Sequence, residues 1–328
     1  MKPRQPAETR PGANSVPSAG KMREAVQQNI STFTERLRRG EFVLTAELNP
    51  PKSAAAAVVR RRAGVLKGYV DAVNVTDSNR AIPAMAAIPA AVIVRESGVE
   101  PIVQMTGRDR NRIALQADLL GAVALGLQHF VFMSGDDPRL GNHPDAVNVK
   151  DLDGIGLLRM AVSMRDKGRF LSGDAIRQPL HYTVGATASP FTTPIDADVA
   201  RTVEKVAAGA EFVQTQPVFD LATFSRWLAE VRRLAGRQAA IIAGVLVLRS
   251  AEQAERLAKV PGLALGPAVI ARLRKADDQA SEGVALAIEM ARSLRALPGV
   301  GGLHLYAIEW PEGVTKVVAG AGLYPVRT

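Results

Sequence analysis

The 328-residue chain contains no cysteine, and this absence excludes several kinds of chemistry. Disulfide bonds, thiol nucleophiles and thiolate-bound metal or iron–sulfur centres all require that residue. The chain also lacks an apolar run near the roughly 20 residues that cross a bilayer. Residues 1–20 lack the apolar block of a signal peptide and are rich in proline, glycine, alanine and arginine. We therefore expect a cytoplasmic protein whose first 20 residues form a disordered tail.

Aromatic residues are scarce as well, at 5% of the chain. The net charge of +9 would suit a nucleic acid, but single-stranded nucleic acid is bound largely by stacking its bases on aromatic rings. The basic residues are scattered through pieces such as RLRRG, VRRRAG and RLRKADD, which are typical of solvated helix faces. The composition disfavours a nucleic-acid partner and suits an anionic small molecule, such as a dinucleotide or a polyglutamate.

Several familiar site motifs are missing. The segment GIGLLR (154–159) lacks the third glycine of a dinucleotide-binding loop, and Lys52-Ser53 follows prolines instead of the glycine loop of a Walker A motif. No G-x-S-x-G elbow supports a Ser-His-Asp triad. We predict no metal site, because the histidines are isolated and have no metal-ligand spacing. These histidines are His129, His143, His181 and His304.

Short apolar or β-branched runs alternate with longer helical patterns along the chain. A helix is predicted over 21–40, with Gly40 as its C-cap. The alternation favours an α/β fold, a (β/α)8 TIM barrel formed by a single domain over 21–328. A doubly wound open sheet is the alternative, because sequence patterns do not fix the number of strands. The predicted strands are 42–48, 70–76, 100–106, 129–134, 180–186, 211–216, 239–245 and 303–309.

Polar residues stand at the ends of several predicted strands, where a barrel carries its catalytic groups. The first strand has its larger apolar residues on one face, which should meet the helices and leave Glu47 pointing into the mouth. A partly desolvated carboxyl has a raised pKa and can donate a proton near neutral pH. The structural alternative for Glu47 is an ion pair with Lys52 or a neighbouring arginine. The other polar residues at strand ends are Asn74, Thr76, Gln104, Thr106, Asp136, Gln214 and Gln216.

Five segments of the chain form a specific combination: AELNPPK (46–52), QMTGRDRN (104–111), GDDP (135–138), KVAAGAEFVQTQPVFD (205–220) and GGLHLYAIEW (301–310). In this order they resemble the methylenetetrahydrofolate reductase family, and the match covers about residues 40–325. The resemblance is to a bacterial branch of the family. It implies a barrel with FAD across its mouth, NADH or NADPH as the hydride donor, and reduction of 5,10-methylenetetrahydrofolate to 5-methyltetrahydrofolate.

The resemblance also implies roles for individual residues. Glu47 corresponds to the acid that opens the five-membered ring of the folate. Asp136 and Gln216 correspond to folate contacts, with Gln214 and Phe219 in the same segment as Gln216. For Asp136 a plain turn role in SGDDP is the alternative. The positions that correspond to flavin contacts are Thr76, Gln104, Gly135, Ala186, Asp198 and Lys205.

The chain departs from the family pattern mainly on the flavin side. Ser134 replaces an arginine, Gln104 replaces a flavin-contacting histidine, and GATASPF (185–191) replaces a Tyr-Pro-Glu-x-His stretch. The alternatives are therefore a flavin-independent or partner-dependent reductase, or a folate-binding accessory subunit of one-carbon metabolism. Glu47 argues against a pure binding protein, which needs no proton donor. A homo-oligomer or an electron-transfer partner stays open, and an unrelated barrel enzyme is the remaining alternative.

Overall fold

The computed structural model describes residues 32–235, 239–260 and 262–323. Its eight parallel strands form a closed barrel in which neighbouring strands in the sequence pair with each other and β1 pairs with β8. This closure confirms the (β/α)8 barrel and rules out the open sheet. The strands are β1 (Val43–Leu48), β2 (Ala72–Val75), β3 (Pro101–Thr106), β4 (His129–Met133), β5 (Thr183–Ala188), β6 (Phe212–Pro217), β7 (Ala240–Leu246) and β8 (Val300–Tyr306).

Each strand is followed by at least one helix, and one further helix precedes β1. Within the described ranges, no helix is both long and apolar enough to cross a membrane. The helices are α1 (Thr32–Arg38), α2 (Ala56–Leu66), α3 (Ala87–Glu96), α4 (Arg112–Ala124), α5 (Gly154–Asp166), α6 (Ile195–Ala207), α7 (Leu221–Leu234), α8 (Ala251–Leu257), α9 (Pro267–Lys275), α10 (Gln279–Ala296) and α11 (Pro311–Gly320).

Helix α1 closes the N-terminal end of the barrel. The Phe33 side chain is fully buried, with its ring edge-on to the rings of His129 and Phe212 at 5.1 and 5.6 Å. Gly40 ends the helical segment with a φ of +66°, which fits the predicted C-cap. The remainder of the predicted helix (21–31) and the predicted tail (1–20) lie outside the described residues.

The alternation in β1 divides its side chains as expected. Leu44, Ala46 and Leu48 pack in the outer core between the barrel and its helices. Val43, on the other face, belongs to a second apolar cluster that fills the lower interior of the barrel. This cluster consists of Phe33, Val43, Ala72, Ile102, Val131, Phe212 and Ile242.

Two predicted strands are displaced along the chain. Strand β8 begins at Val300, three residues earlier than predicted, because Gly302 allows the backbones to approach closely. A Cβ at Gly302 would lie 2.4 Å from the carbonyl oxygen of Val43. Strand β5 begins at Thr183, three residues later than predicted, and the preceding Tyr182 packs in the outer core and donates a hydrogen bond to the Ala161 carbonyl at 2.7 Å.

Candidate active site

Glu47 lies on the inward face of β1 near its C-terminal end, between two residues of the outer core. Its side chain is partly exposed at the mouth. Desolvation by the surrounding protein raises its pKa to about 7, and a hydrogen bond with the Asn49 side chain opposes this by a smaller amount. A carboxyl with this pKa keeps a substantial protonated fraction at pH 7. In the described part of the chain Glu47 forms no ion pair with Lys52 or an arginine.

The segment after β1 is tied to the neighbouring elements. The Asn49 side-chain oxygen accepts a hydrogen bond from the Thr76 hydroxyl at 3.0 Å. The Asn49 carbonyl accepts one from the Arg62 guanidinium at 2.5 Å. These bonds hold the backbone two residues beyond Glu47 and restrict the movement of its carboxyl.

Four polar side chains form a hydrogen-bonded layer beneath the mouth. The side-chain amides of Asn74 and Gln214 bond each other reciprocally at 2.6 and 3.0 Å across the barrel. The Gln214 amide also donates to the Thr45 hydroxyl at 3.2 Å, which lies 2.8 Å from Nδ1 of His304. Burial lowers the pKa of His304 to about 3, so the ring is neutral at pH 7.

The two glutamines predicted to contact the folate lie at different depths. Gln214 is 2% exposed and its amide is engaged by the polar layer, so it is buried beneath the mouth. Gln216 is exposed at the mouth. Phe219 is partly buried against an apolar cluster that includes Leu246 and Leu248.

Gly135 and Asp136 follow β4 at the same end of the barrel. Gly135 has a φ of +85°, and a Cβ there would lie 3.0 Å from the Cβ atoms of Thr106 and Arg108. Asp136 is exposed, and one of its oxygens accepts a hydrogen bond from the Arg80 backbone N–H at 2.8 Å. Glycine is required at position 135, and the Asp136 carboxylate is held at the rim.

The GRDRN stretch clamps two mouth loops together, a role that the sequence did not reveal. Arg108 is 2% exposed and donates to both carboxylate oxygens of Asp109 at 2.7 and 2.6 Å and to the Ser78 carbonyl at 3.1 Å. Arg110 pairs with Asp77, whose carboxylate also accepts from the backbone N–H of Thr106 at 3.0 Å. The run of charges was visible, but the partners in the other loop, Ser78 and Asp77, lie about 30 residues away in sequence.

The predicted flavin positions differ in how accessible they are. Gln104 is partly exposed on β3, whereas Thr76 is 2% exposed and bonded to Asn49. The side chain of Ala186 packs in the outer core. Strand β5 runs on to Ala188, and the inward residue nearest its end is Thr187.

Asp198 and Lys205 lie on α6 and both bond backbone groups of β5 or of the residue that follows it. The Asp198 carboxylate is 7% exposed and accepts hydrogen bonds from the Ser189 backbone N–H at 3.1 Å and the Trp227 indole N–H at 2.9 Å. Lys205 donates to the Thr187 carbonyl at 2.6 Å, and desolvation lowers its pKa. Both side chains are thus engaged within the protein.

Tyr306, at the end of β8, is a further residue of the mouth that sequence reasoning missed. Its hydroxyl donates to the Thr215 carbonyl at 3.0 Å, and its ring meets the His304 ring edge-on at 4.4 Å. Burial raises its pKa, with a smaller contribution from the negative charge of Glu47. The sequence signal that could have identified Tyr306 is its position two residues after His304, on the same face of β8.

A closed parallel barrel with an acid, a carboxylate and an amide at the C-terminal mouth is the arrangement of (β/α)8 barrel enzymes. No group of three or more His, Asp or Glu residues in the described ranges is placed to hold a metal ion. The family model for methylenetetrahydrofolate reductase matches residues 32–322, and the chain belongs to that family.

Individual relatives are distant. A probable methylenetetrahydrofolate reductase (NADPH) of Caenorhabditis elegans is 27% identical over 242 residues, 73% of this chain and 34% of that protein. Methylenetetrahydrofolate reductase 2 of Saccharomyces cerevisiae is 23% identical over 241 residues, 70% of this chain and 38% of that protein. The chain therefore spans less than half the length of these two relatives.

The structural comparison supports the same fold. An uncharacterized Clostridium thermocellum protein that binds two copies of 5-methyl-5,6,7,8-tetrahydrofolic acid superposes with a TM-score of 0.64 at 12% identity. The alignment covers 89% of this chain and 100% of that one.

The polar layer yields a double-mutant prediction. Gln214→Leu leaves the buried Asn74 amide without its partner, and we expect it to lower the free energy of unfolding by about 1–3 kcal/mol. Adding Asn74→Leu should recover part of that loss, because both unsatisfied groups are then removed. Urea unfolding of the two single variants and the double variant measures the coupling. Strictly additive losses would contradict the reciprocal amide pair.

Proposed function

We propose that this chain reduces 5,10-methylenetetrahydrofolate to 5-methyltetrahydrofolate with a hydride from NADH or NADPH, and that Glu47 is the general acid. The observation that carries the proposal is a carboxyl at the mouth of the barrel, in a member of this family, whose pKa is raised to about 7. A carboxyl with this pKa is a competent proton donor at neutral pH.

The reaction needs one proton and one hydride. Breaking the bond between the bridging methylene carbon and N10 leaves an electrophilic iminium at N5, and the proton from Glu47 goes to the departing N10. Hydride then adds to the methylene carbon, which becomes the methyl group. Asp136 and Gln216 are the proposed folate contacts, because both are exposed at the mouth. Phe219 lies three residues beyond Gln216 and is the proposed apolar contact.

The carrier of the hydride has two candidates. The resemblance favours bound FAD, which would accept hydride from the nicotinamide and pass it to the folate. Three of the predicted flavin positions give FAD little support, since Asp198 and Lys205 already bond protein groups and the Ala186 side chain faces the outer core. The steps above are therefore derived without a flavin, and direct transfer from NAD(P)H is the candidate that these contacts favour.

A homo-oligomer, an electron-transfer partner and an accessory folate-binding role remain proposals, as does the cytoplasmic location. The accessory role is the weakest of these, because a binding protein has no need of a proton donor at Glu47.

The visible spectrum of the purified chain distinguishes the two hydride routes. We expect no flavin absorption band at about 450 nm. We also expect NAD(P)H oxidation that depends on methylenetetrahydrofolate. A stoichiometric flavin band that bleaches with NAD(P)H would instead support FAD. If the chain oxidised no NAD(P)H in any condition, with or without added FAD, both the FAD-dependent and the direct route would be contradicted.

Glu47→Gln tests the acid. We expect folate reduction to fall by at least about 10²-fold, because the variant cannot supply the proton. The dissociation constant for NAD(P)H should stay unchanged. Glu309→Gln is the matched control, since Glu309 is exposed after β8 and, among the residues that the structure describes, forms one long ion pair of 3.7 Å with Arg62. A parallel loss of nucleotide binding, or an unchanged rate, would contradict the assignment.

A further inference from the structure

Strand β6 contains a bulge at the point where it reaches the mouth. Gln214 pairs with Ile242 of β7, and the next paired position is Pro217 with Gly244. Between these two paired positions β6 has two residues, Thr215 and Gln216, whereas β7 has one. Strand β6 therefore has one residue more here than a regular ladder would have. Such bulges redirect side chains and are frequent beside active sites. Here the bulge separates the buried Gln214 from the exposed Gln216.

Side chains and a glycine fix the shape of this bulge. The Thr215 hydroxyl accepts a hydrogen bond from the Gly244 N–H at 3.0 Å and donates to the Gln216 carbonyl at 2.9 Å. A Cβ at Gly244 would lie 2.6 Å from the Thr215 carbonyl oxygen and 2.7 Å from that of Gln216. Only glycine leaves room for the bulge against β7.

Tyr306 stabilises the bulge from β8, across the intervening strand. Its hydroxyl donates to the Thr215 carbonyl at 3.0 Å. A buried carbonyl without a partner is costly, so this bond favours the bulged backbone over alternatives. The same side chain packs against His304 and lies close enough to Glu47 to experience its charge.

We propose that Tyr306 is a positioning residue: its bond to the Thr215 carbonyl holds Gln216 where the folate needs it, in fixed relation to Glu47. This inference rests on the proposed function. It assigns Tyr306 a role through Gln216, without contact between Tyr306 and the reacting atoms.

Tyr306→Phe removes only the hydroxyl. We expect the dissociation constant for 5-methyltetrahydrofolate and the KM for methylenetetrahydrofolate to rise about 3- to 10-fold, which corresponds to one hydrogen bond. The value of kcat and its pH profile should change by less than about twofold, since Glu47 keeps its surroundings. Thr215→Val should act in the same direction, because it removes the other hydroxyl that fixes the bulge.

Tyr182→Phe is the matched control. Tyr182 is also buried and donates to a backbone carbonyl, that of Ala161 at 2.7 Å, but it lies in the outer core. It should lower the melting temperature and leave folate binding unchanged.

Two results would overturn the positioning role. One is folate affinity in Tyr306→Phe within about twofold of the unmodified chain, with thermal destabilisation like that of Tyr182→Phe. The other is a loss confined to kcat with a displaced pH profile, which would place the effect on Glu47. If the unmodified chain itself bound no folate, the proposed function would fall and the role of Tyr306 with it.

Discussion

The candidate site depends on partly withdrawing the Glu47 carboxyl from water without pairing it with a cation. Desolvation raises the pKa of Glu47 to about 7, and an adjacent arginine or lysine would act in the opposite direction. The mouth contains many arginines, but those of the GRDRN stretch are paired with Asp77, Asp109 and Asp118. Because nearby carboxylates pair with these cations, the cations do not lower the pKa of Glu47. The same pairs join the loops after β2 and β3.

The polar side chains inside the barrel, beneath the mouth, form hydrogen bonds with one another. Thr45, Asn74, Gln214 and His304 bond one another, so the layer under Glu47 requires no water or ligand. A satisfied network of this kind is rigid, because each group would pay for losing its partner. Glu47 therefore lies above a rigid layer of polar side chains, and the apolar cluster that includes Phe33 lies below that layer.

Much of the fold and part of the site could be predicted, for reasons that lie in local sequence. Strand alternation is set by neighbouring residues, so the barrel and the inward direction of Glu47 followed from it. Alternation assigned Gln214 and Gln216 to the same face but could not give their depth, nor the bulge between them. The contacts of Asp198 with Trp227 and of Arg108 with Ser78 join distant parts of the chain, and no local pattern reveals them.

The most direct test is a titration of the Glu47 carboxyl by carbon-13 NMR, with Glu47→Gln used to assign its signal. The account predicts a midpoint at about 7 in the folded chain, against the ordinary 4.5. The folded state should correspondingly lose stability as the pH rises from 4.5 through about 7, because the raised pKa favours the protonated carboxyl. A midpoint near 4.5 would contradict the account, since a carboxyl already ionised at neutral pH has no proton to donate.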